Sequence, residues 1–551
     1  MVVKKRIGTN ISTTIAPFFN PEWAMVLYII FVSLAANIFF YFTLASRAVG
    51  FGDSWSRLNI ARRVVDSLTP GIAQLGGIWL PFPQILITPF AAIDPLYYSG
   101  IAPMFISSPA FILGGWYLFR LLRLLSGSAV AAVVGTLVYA SNVNLLYIQT
   151  TSMSEPLFLC AVLGALYHFL RWKSSAHGGI LSLVISAGWT FIATLTRYEG
   201  FFLLIIFTFS VVVAAIGRKK TRTYVEGMIT LFVTLAGFGV FIWFIYSWVI
   251  FGHPLNWLHI YTGKIAVIST VSEKPTQTWG VSDFKYDLTS SIRSIVESSF
   301  QMNGLLLVVP VVITFIYYPM FVITQKNKSL TNTLSVLIAS APLIFYIVSS
   351  FGGSALIRNP PMTIAMLTDP TFHTLQEYNI RYGLMTLPFI LVLSTILWRV
   401  GFLRVIFIGI ALSQVILFFT GWPTTIYNFP KRYLTISKQE KLQFQQWFRT
   451  HYDGGLILAS AIANDQLMYS LKIPYKSYIY EGTGKYWKQA VADPTTLARW
   501  VMYQNGPKVT NTGGSADFVS YYLQDAPVLT DNYNLVYTDD RIVVYKIKEH
   551  T

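Results

Sequence analysis

The stretch AMVLYIIFVSLAANIFFYFTLAS, residues 24–46, contains no Asp, Glu, Lys or Arg. About twenty consecutive apolar residues match a hydrocarbon core roughly 30 Å thick. Upstream of it stand Lys4-Lys5-Arg6, and just beyond it comes FGDSWSR, Phe51–Arg57. A basic flank on one side and a polar, aromatic segment on the other read as a membrane span with its N-terminal side in the cytoplasm. The run lacks a small-residue cleavage site and another span follows, so it reads as an anchor and not as a removed leader.

Similar runs recur near 98–119, 128–147, 154–170, 178–196, 200–216, 226–250, 304–324, 331–350, 383–398 and 402–421, about eleven spans in all. Composition agrees: 54% of residues are hydrophobic, 12% are charged and the mean hydropathy is +0.54. Soluble domains carry about 25% charged residues. The net charge of +16 would suggest nucleic acid in a soluble chain, but the basic residues sit in short loops between apolar runs, so no nucleic-acid partner is expected. The single cysteine, Cys160, excludes intrachain disulfides and cysteine-based metal clusters.

Alternate connections are basic: Arg120 with Arg123, Arg171 with Lys173, Arg218-Lys219-Lys220 with Arg222, Lys326 with Lys328, and Arg399 with Arg404. Acids are nearly absent there, and these cations are expected to lack acidic partners. Such loops stay cytoplasmic. The expected division is a cytoplasmic N-terminus (1–23), a membrane domain (24–432) with long outer loops 47–97, 251–303 and 351–382, and an extracytoplasmic domain (433–551). The plasma membrane is the expected location. In the last segment Lys438–Arg449 reads as an amphipathic helix and Gly454–Ser460 as a buried strand. Pro494–Met502 reads as a helix capped by Asp493, and NLVYTDDRIVVYKIK reads as a hairpin. The expected fold class is therefore a polytopic α-helical membrane protein with a small α/β outer domain. That domain lacks a phosphate loop, metal cluster or nucleophile motif and reads as a cover.

Residues with chemical potential gather at outer span ends. Asp53 sits next to a span, with Trp55 beside it and Arg57 four residues on, and a surface helix is expected over Asn59–Ser67. A carboxylate there can accept a hydroxyl proton; Asp53 or Ser54 can equally be a helix cap. GGIWLPFPQILITPF, Gly76–Phe90, is stiff and aromatic; with Trp55, its Trp79 and Phe82 suit the wall of a lipid-accessible groove or simple interfacial anchoring. Glu155 in SEP opens a span, where it is either functional or a complement to the helix dipole. Arg197 in TRYEG can bind phosphate in bidentate fashion, snorkel to headgroups or pair with Glu199. Arg381, between Tyr378 and Tyr382, can bind an anion or anchor the chain. Carboxylates and arginines from four loops on one face suit transfer of a group from a lipid-anchored phosphate to an acceptor presented from outside.

Three segments resemble the membrane glycosyltransferases of the C superfamily that use polyprenyl-phosphate sugars, nearest the protein mannosyltransferase and aminoarabinose transferase branch. They are FGDSWSRLNIARRVVDS after the first span, SEPLFL opening the fourth, and NIRYGLMTLPF before a late one. The resemblance covers about residues 20–420. It implies inverting transfer of a hexose or pentose from a polyprenyl-phosphate donor to a hydroxyl of a protein, glycolipid or glycan. Asp53 would be the base and Glu155 the second acid. Arg57, Arg197, Arg381 and Tyr382 would hold the donor phosphate. A divalent metal on Asp53 and Glu155 is compatible with the residue types, and no other cofactor is implied. Where the aminoarabinose branch has a lysine beside Pro-Pro, this chain has LPFPQ, which leaves phosphate binding to arginine or a metal. The WWD-type motif of oligosaccharyltransferases is missing, which argues against transfer of a whole oligosaccharide. A transporter or flippase is the competing reading, although the spans hold almost no charge and show no repeat. A membrane-anchored binding protein is the third.

Overall fold

The computed structural model describes residues 20–43, 52–174, 179–261, 284–324, 326–355, 357, 379–420, 438–506 and 517–549. The basic triplet at 4–6, Tyr378, most of the 351–382 loop and the 433 boundary lie outside them.

The membrane part begins with α1 (Pro21–Thr43), followed by α2 (Gly52–Arg63), α3 (Phe82–Ala91), α4 (Asp94–Tyr98) and α5 (Met104–Ser126). Next come α6 (Ala129–Ala140), α7 (Val143–Ile148), α8 (Glu155–Ser174), α9 (Ile180–Thr196), α10 (Glu199–Ile216) and α11 (Arg222–Phe251). α12 (Asn256–Tyr261), α13 (Leu288–Asn303), α14 (Val308–Thr324), α15 (Lys326–Ala339), α16 (Ala341–Phe351), α17 (Leu387–Ser394) and α18 (Gly401–Thr420) complete it. Every segment expected to span falls on a helix or helix pair. Among the described residues seven helices are long and apolar enough to cross a bilayer, or eight if the α15–α16 pair, bent by 43°, is one span. The other three expected spans rest on α8, which is charged at its ends, on the shorter α9, and on the broken pair α6–α7. Large apolar side chains cover the outside of the bundle: Phe31 is 68% exposed and Ile316 77%. Water would not tolerate such a surface; lipid does. The chain is an integral membrane protein.

α8 occupies the middle. It packs on α5 and α9, and nearly every residue from Glu155 to Trp172 is buried. This central position is what fixes Glu155. The basic face departs from expectation: Glu22 accepts from Arg120 Nε at 2.7 Å and from Trp116 Nε1 at 2.9 Å, and Arg222 pairs with Glu226 at 2.6 Å. The positive-inside signal counts cations and is blind to acids folded back on them.

The helix expected over Asn59–Ser67 starts earlier, since α2 runs from Gly52 to Arg63. From Leu58 to Arg63 it is buried, held between the bundle and the C-terminal domain. Asn59 Nδ2 donates to Asp465 O at 2.9 Å, Arg63 pairs with Asp465 at 3.3 Å, and Tyr469 OH donates to Tyr97 O at 3.1 Å. Gln74 accepts from Tyr480 OH at 2.8 Å and donates to Gly482 O at 2.9 Å.

In the C-terminal domain α19 (Lys438–His451) and α20 (Ala461–Leu471) accompany a sheet ordered β2-β1-β3-β5-β4. Its strands are β1 (Leu456–Ala459), β2 (Tyr478–Ile479), β3 (Ala498–Gln504), β4 (Tyr533–Thr538) and β5 (Ile542–Ile547). β1 is parallel to β2 and β3, and β5 is antiparallel to β3 and β4. The helix, strand and hairpin expected at 438–449, 454–460 and 534–548 are present. The helix expected over 494–502 is not. Asp493 does cap Thr495 N at 3.0 Å, but only a single turn, Pro494–Thr496, follows. The chain then enters β3, whose Trp500 and Met502 pack on one side of the sheet and Val501 and Tyr503 on the other. Burial on both faces overrides the helix-start signal.

Glu481, just beyond β2, is fully buried. It accepts from Ser460 Oγ and from Ala461 N at 2.9 Å. Burial pushes its pKa up to about 7, against the opposing pull of those hydrogen bonds. The folded state therefore holds this proton more tightly than the unfolded chain does. The stability gained is fully present below the unfolded pKa of about 4.3 and is lost as pH rises through 7, on the order of 3 kcal/mol. Thermal unfolding of the full chain from pH 5 to 8, with amide exchange at β1 as the local readout, should show stability falling with pH. Glu481→Gln should flatten that slope; an unchanged slope would rule Glu481 out as its source.

Candidate functional site

Three local devices bring distant residues together. First, the start of α2 is tied to the turn before α8: Ser54 Oγ lies 2.9 Å from Ser152 Oγ, and Ser152 Oγ donates to Ser54 O. This places Asp53 beside Glu155. Second, α9 and α10 meet in a turn so tight that a Cβ on Gly200 would lie 2.3 Å from Ala193 O. Arg197, in extended conformation at the end of α9, is aimed inward by that turn. Third, the 3-10 segment Ile380–Thr386 is pressed against α13, where a Cβ on Gly383 would lie 2.1 Å from Ser298 O. Asn303 Nδ2 donates to Gly383 O at 2.7 Å. Arg381 is fixed by this contact. α13 falls inside what was read as the loop 251–303, and its serine-lined face is the surface that admits the close approach.

The resulting cluster is an alternation of charge. Arg381 Nη2 donates to Asp53 Oδ2, and its Nε lies 3.3 Å from Glu155 Oε1. Arg197 Nη1 lies 3.1 Å from the same oxygen and donates to Ser154 Oγ at 2.9 Å. Arg197 Nε donates to Glu199 Oε1 at 2.7 Å and Nη2 to Tyr346 OH at 2.8 Å; Tyr346 in turn donates to Glu199. The Tyr382 ring stacks on Tyr346 with centroids 4.6 Å apart, and the Arg381 guanidinium lies 5.3 Å from its face. Glu155 is wholly buried, whereas the Asp53 side chain is 36% exposed. Asp53 is thus the carboxylate that an incoming group can reach.

Arg57 belongs to this cluster by helix geometry, since it shares a face with Asp53 one turn away. It lies 4.6 Å over the Trp79 ring. With the Gln84 amide turned so that its oxygen faces the guanidinium, Arg57 Nη1 donates to it at 3.1 Å and the amide nitrogen donates to Leu80 O at 3.0 Å. Its Nε is buried with no acceptor among the described residues. Burial lowers the Arg57 pKa to about 10, with Glu155 opposing this and Arg197 adding repulsion. A desolvated guanidinium with an unused donor is suited to an anion. It also stands over LPFPQ, the stretch that lacks a lysine.

The structure brings together Asp53, Arg57, Glu155, Arg197, Arg381, Tyr382 and Trp79. It does not place Trp55 with them. Two residues along a helix is about 200° of rotation, which turns Trp55 toward the C-terminal domain, where its ring meets Tyr469 at 4.3 Å. Phe82 packs with Leu80, Leu195 and Trp243. Glu199 takes the pairing with Arg197 that was one of the alternatives for that arginine, while Gln84 and Tyr346 join the cluster without having been singled out. Only Tyr346 had a usable sign, since a tyrosine hydroxyl within a span needs a partner. A divalent cation does not fit this donor set. Both candidate carboxylates already face guanidinium groups, and among the described residues no group of three His, Cys, Asp or Glu assembles.

No protein-family model and no curated protein sequence matches the chain. Solved structures do. ArnT from Cupriavidus metallidurans in the apo state aligns with a TM-score of 0.55 at 11% identity, covering 96% of this chain and 98% of that one. The same protein bound to undecaprenyl phosphate aligns at 0.52 and 12%, covering 95% and 97%. An oligosaccharyltransferase from Archaeoglobus fulgidus gives a looser likeness, 0.46 at 12%, over 88% of this chain and 69% of that one. Over nearly its whole length, C-terminal domain included, the chain carries the fold of ArnT.

Proposed function

We propose that this protein is an inverting glycosyltransferase. It moves a sugar from a polyprenyl-phosphate donor to an acceptor hydroxyl at the outer face of the membrane. The observation that carries the reading is the position of Arg381, shared between a reachable carboxylate, Asp53, and a buried one, Glu155. That the ArnT fold is known with undecaprenyl phosphate bound supports the donor class.

Charge decides the roles. Arg57, Arg197 and Arg381 balance Asp53, Glu155 and Glu199, so the resting cluster is neutral. As the acceptor oxygen attacks the anomeric carbon, the bond from that carbon to the phosphate oxygen breaks. The electron pair leaves with the phosphate, which gains one negative charge. The hydroxyl proton passes to Asp53, and the cluster becomes positive by one unit as the leaving group becomes more negative. Cations aimed where charge develops stabilise the transition state more than the ground state. The donor phosphate draws Arg381 from Asp53 and so frees that carboxylate to accept the proton. Glu155 holds Arg197 and Arg381 in place and touches no substrate. The outer domain, gripping α2 through Asp465, sets the position of Asp53.

Arg57→Gln tests the donor assignment. A hydrogen bond to a charged group contributes about 1.5–3 kcal/mol, so the donor KM should rise about 10- to 100-fold while the acceptor KM stays level. Initial rates with a synthetic polyprenyl-phosphate sugar would show this. A rise confined to the acceptor KM would overturn the assignment.

A further inference from the structure

α8 runs about 30 Å from Glu155 to Ser174, so its far end lies a bilayer's thickness from the catalytic cluster. There the ends of α5 and α8, the start of α15 and the turn before α18 border a cavity of about 210 Å³. Ser126, Ser174, Thr331, Asn332 and Arg399 line it. Asn332 is 4% exposed, yet its Nδ2 has no hydrogen-bond acceptor among the described residues. The Nε of Arg399 is buried in the same state, although Nη2 of that guanidinium donates to Leu125 O at 3.3 Å. Lys173 reaches the rim, where its Nζ donates to Thr331 Oγ1 at 2.6 Å. No carboxylate lines the cavity among the described residues.

A buried donor without an acceptor costs about 1–3 kcal/mol, and native structures rarely leave two such donors at one cavity. One oxyanion accepting from both would remove both penalties and neutralise the Arg399 charge. We propose that this cavity is a phosphate-binding site on the basic-loop face of the bundle, separate from the sugar-transfer site. Its ligand is a phosphate group, carried on a lipid of the adjacent leaflet or free in solution. The cavity volume admits a phosphate with a few attached atoms. The serines offer further hydroxyls, and the cationic rim suits a dianion or a phosphodiester alike.

Thermal unfolding of the delipidated full-length chain separates the two sources. One arm adds inorganic phosphate in detergent. The other compares nanodiscs of phosphatidylcholine with and without phosphatidylglycerol. A ligand that binds the folded state raises the melting temperature in proportion to its occupancy. A rise with phosphatidylglycerol alone assigns a lipid headgroup, and a rise with inorganic phosphate assigns a free anion. In either case Arg399→Gln and Asn332→Leu should each weaken the apparent affinity by about ten-fold, as loss of one charge-assisted hydrogen bond does. Asn332→Leu removes a donor without touching charge and keeps the test open if Arg399→Gln fails to fold. No response to either probe, or an equal response in the wild type and both variants, would overturn the site.

Discussion

Replacing Asp53 with Asn is expected to lower kcat by at least about a thousand-fold while leaving the donor KM level or reduced. A positioned base contributes about 10²–10⁴ to a proton-transfer step. The same substitution also removes the compensation by which the cluster turns positive as the leaving phosphate turns negative. Both losses fall on the transition state alone, so they appear in kcat. Donor binding behaves differently. Arg381 is hydrogen-bonded to Asp53 in the resting protein, and the amide of Asn holds it less strongly, so a phosphate competes for it more easily. Stability should change little, because Asp53 is 36% exposed and a half-exposed ion pair contributes about 1 kcal/mol or less. Single-turnover rates with the donor in excess, alongside melting curves, give both readouts. Retention of wild-type kcat in a folded Asp53→Asn protein would remove Asp53 as the base.

Much of this site can be read in the sequence, for a physical reason. A bilayer admits few polar groups, so the ones that remain at span ends stand out against an apolar background. Asp53 and Arg57 also share a helix face by spacing alone. The same spacing argues against Trp55 as their neighbour, since an aromatic two residues from Asp53 points elsewhere once α2 is recognised as starting at Gly52. What the sequence conceals is contact between segments with no common period. Tyr346 sits inside an apolar run, and nothing local marks it as a partner of Arg197 and Glu199. Glu22 meets Arg120 across 98 positions, and a rule that counts cations in loops does not register that meeting. β3 was hidden for another reason. Asp493 and Pro494 open a turn in good order, but that signal states only where a helix can begin. Whether one continues is decided by the parallel pairing of β3 with β1, which is long-range. Architecture came through because hydropathy is additive along the chain, whereas side-chain partnership is not.

Glu155→Gln should be the most damaging change to the fold that leaves every side-chain volume in place. Glu155 is fully buried, with Arg197 at 3.1 Å and Arg381 at 3.3 Å. Removing its charge leaves three guanidinium groups against two carboxylates in a site with little water. Breaking a buried pair by deleting one partner costs about 3–5 kcal/mol. The amide nitrogen of Gln would also present a donor to donors. The melting temperature should fall clearly, and kcat should drop about a hundred-fold or more because Arg381 and Arg197 lose the group that orients them. The double variant Glu155→Gln/Arg381→Gln separates the two roles. It restores neutrality, so its loss of stability should fall short of the sum of the single losses by about 1–3 kcal/mol, the coupling seen for residues within one ionic network. Its activity should not recover, since the cation shared with the donor phosphate is gone. A Glu155→Gln protein as stable as the wild type would mean that Glu155 is uncharged in the resting protein and does not balance the arginines. The neutral cluster, and with it the switch of Arg381 from carboxylate to phosphate, would then fall.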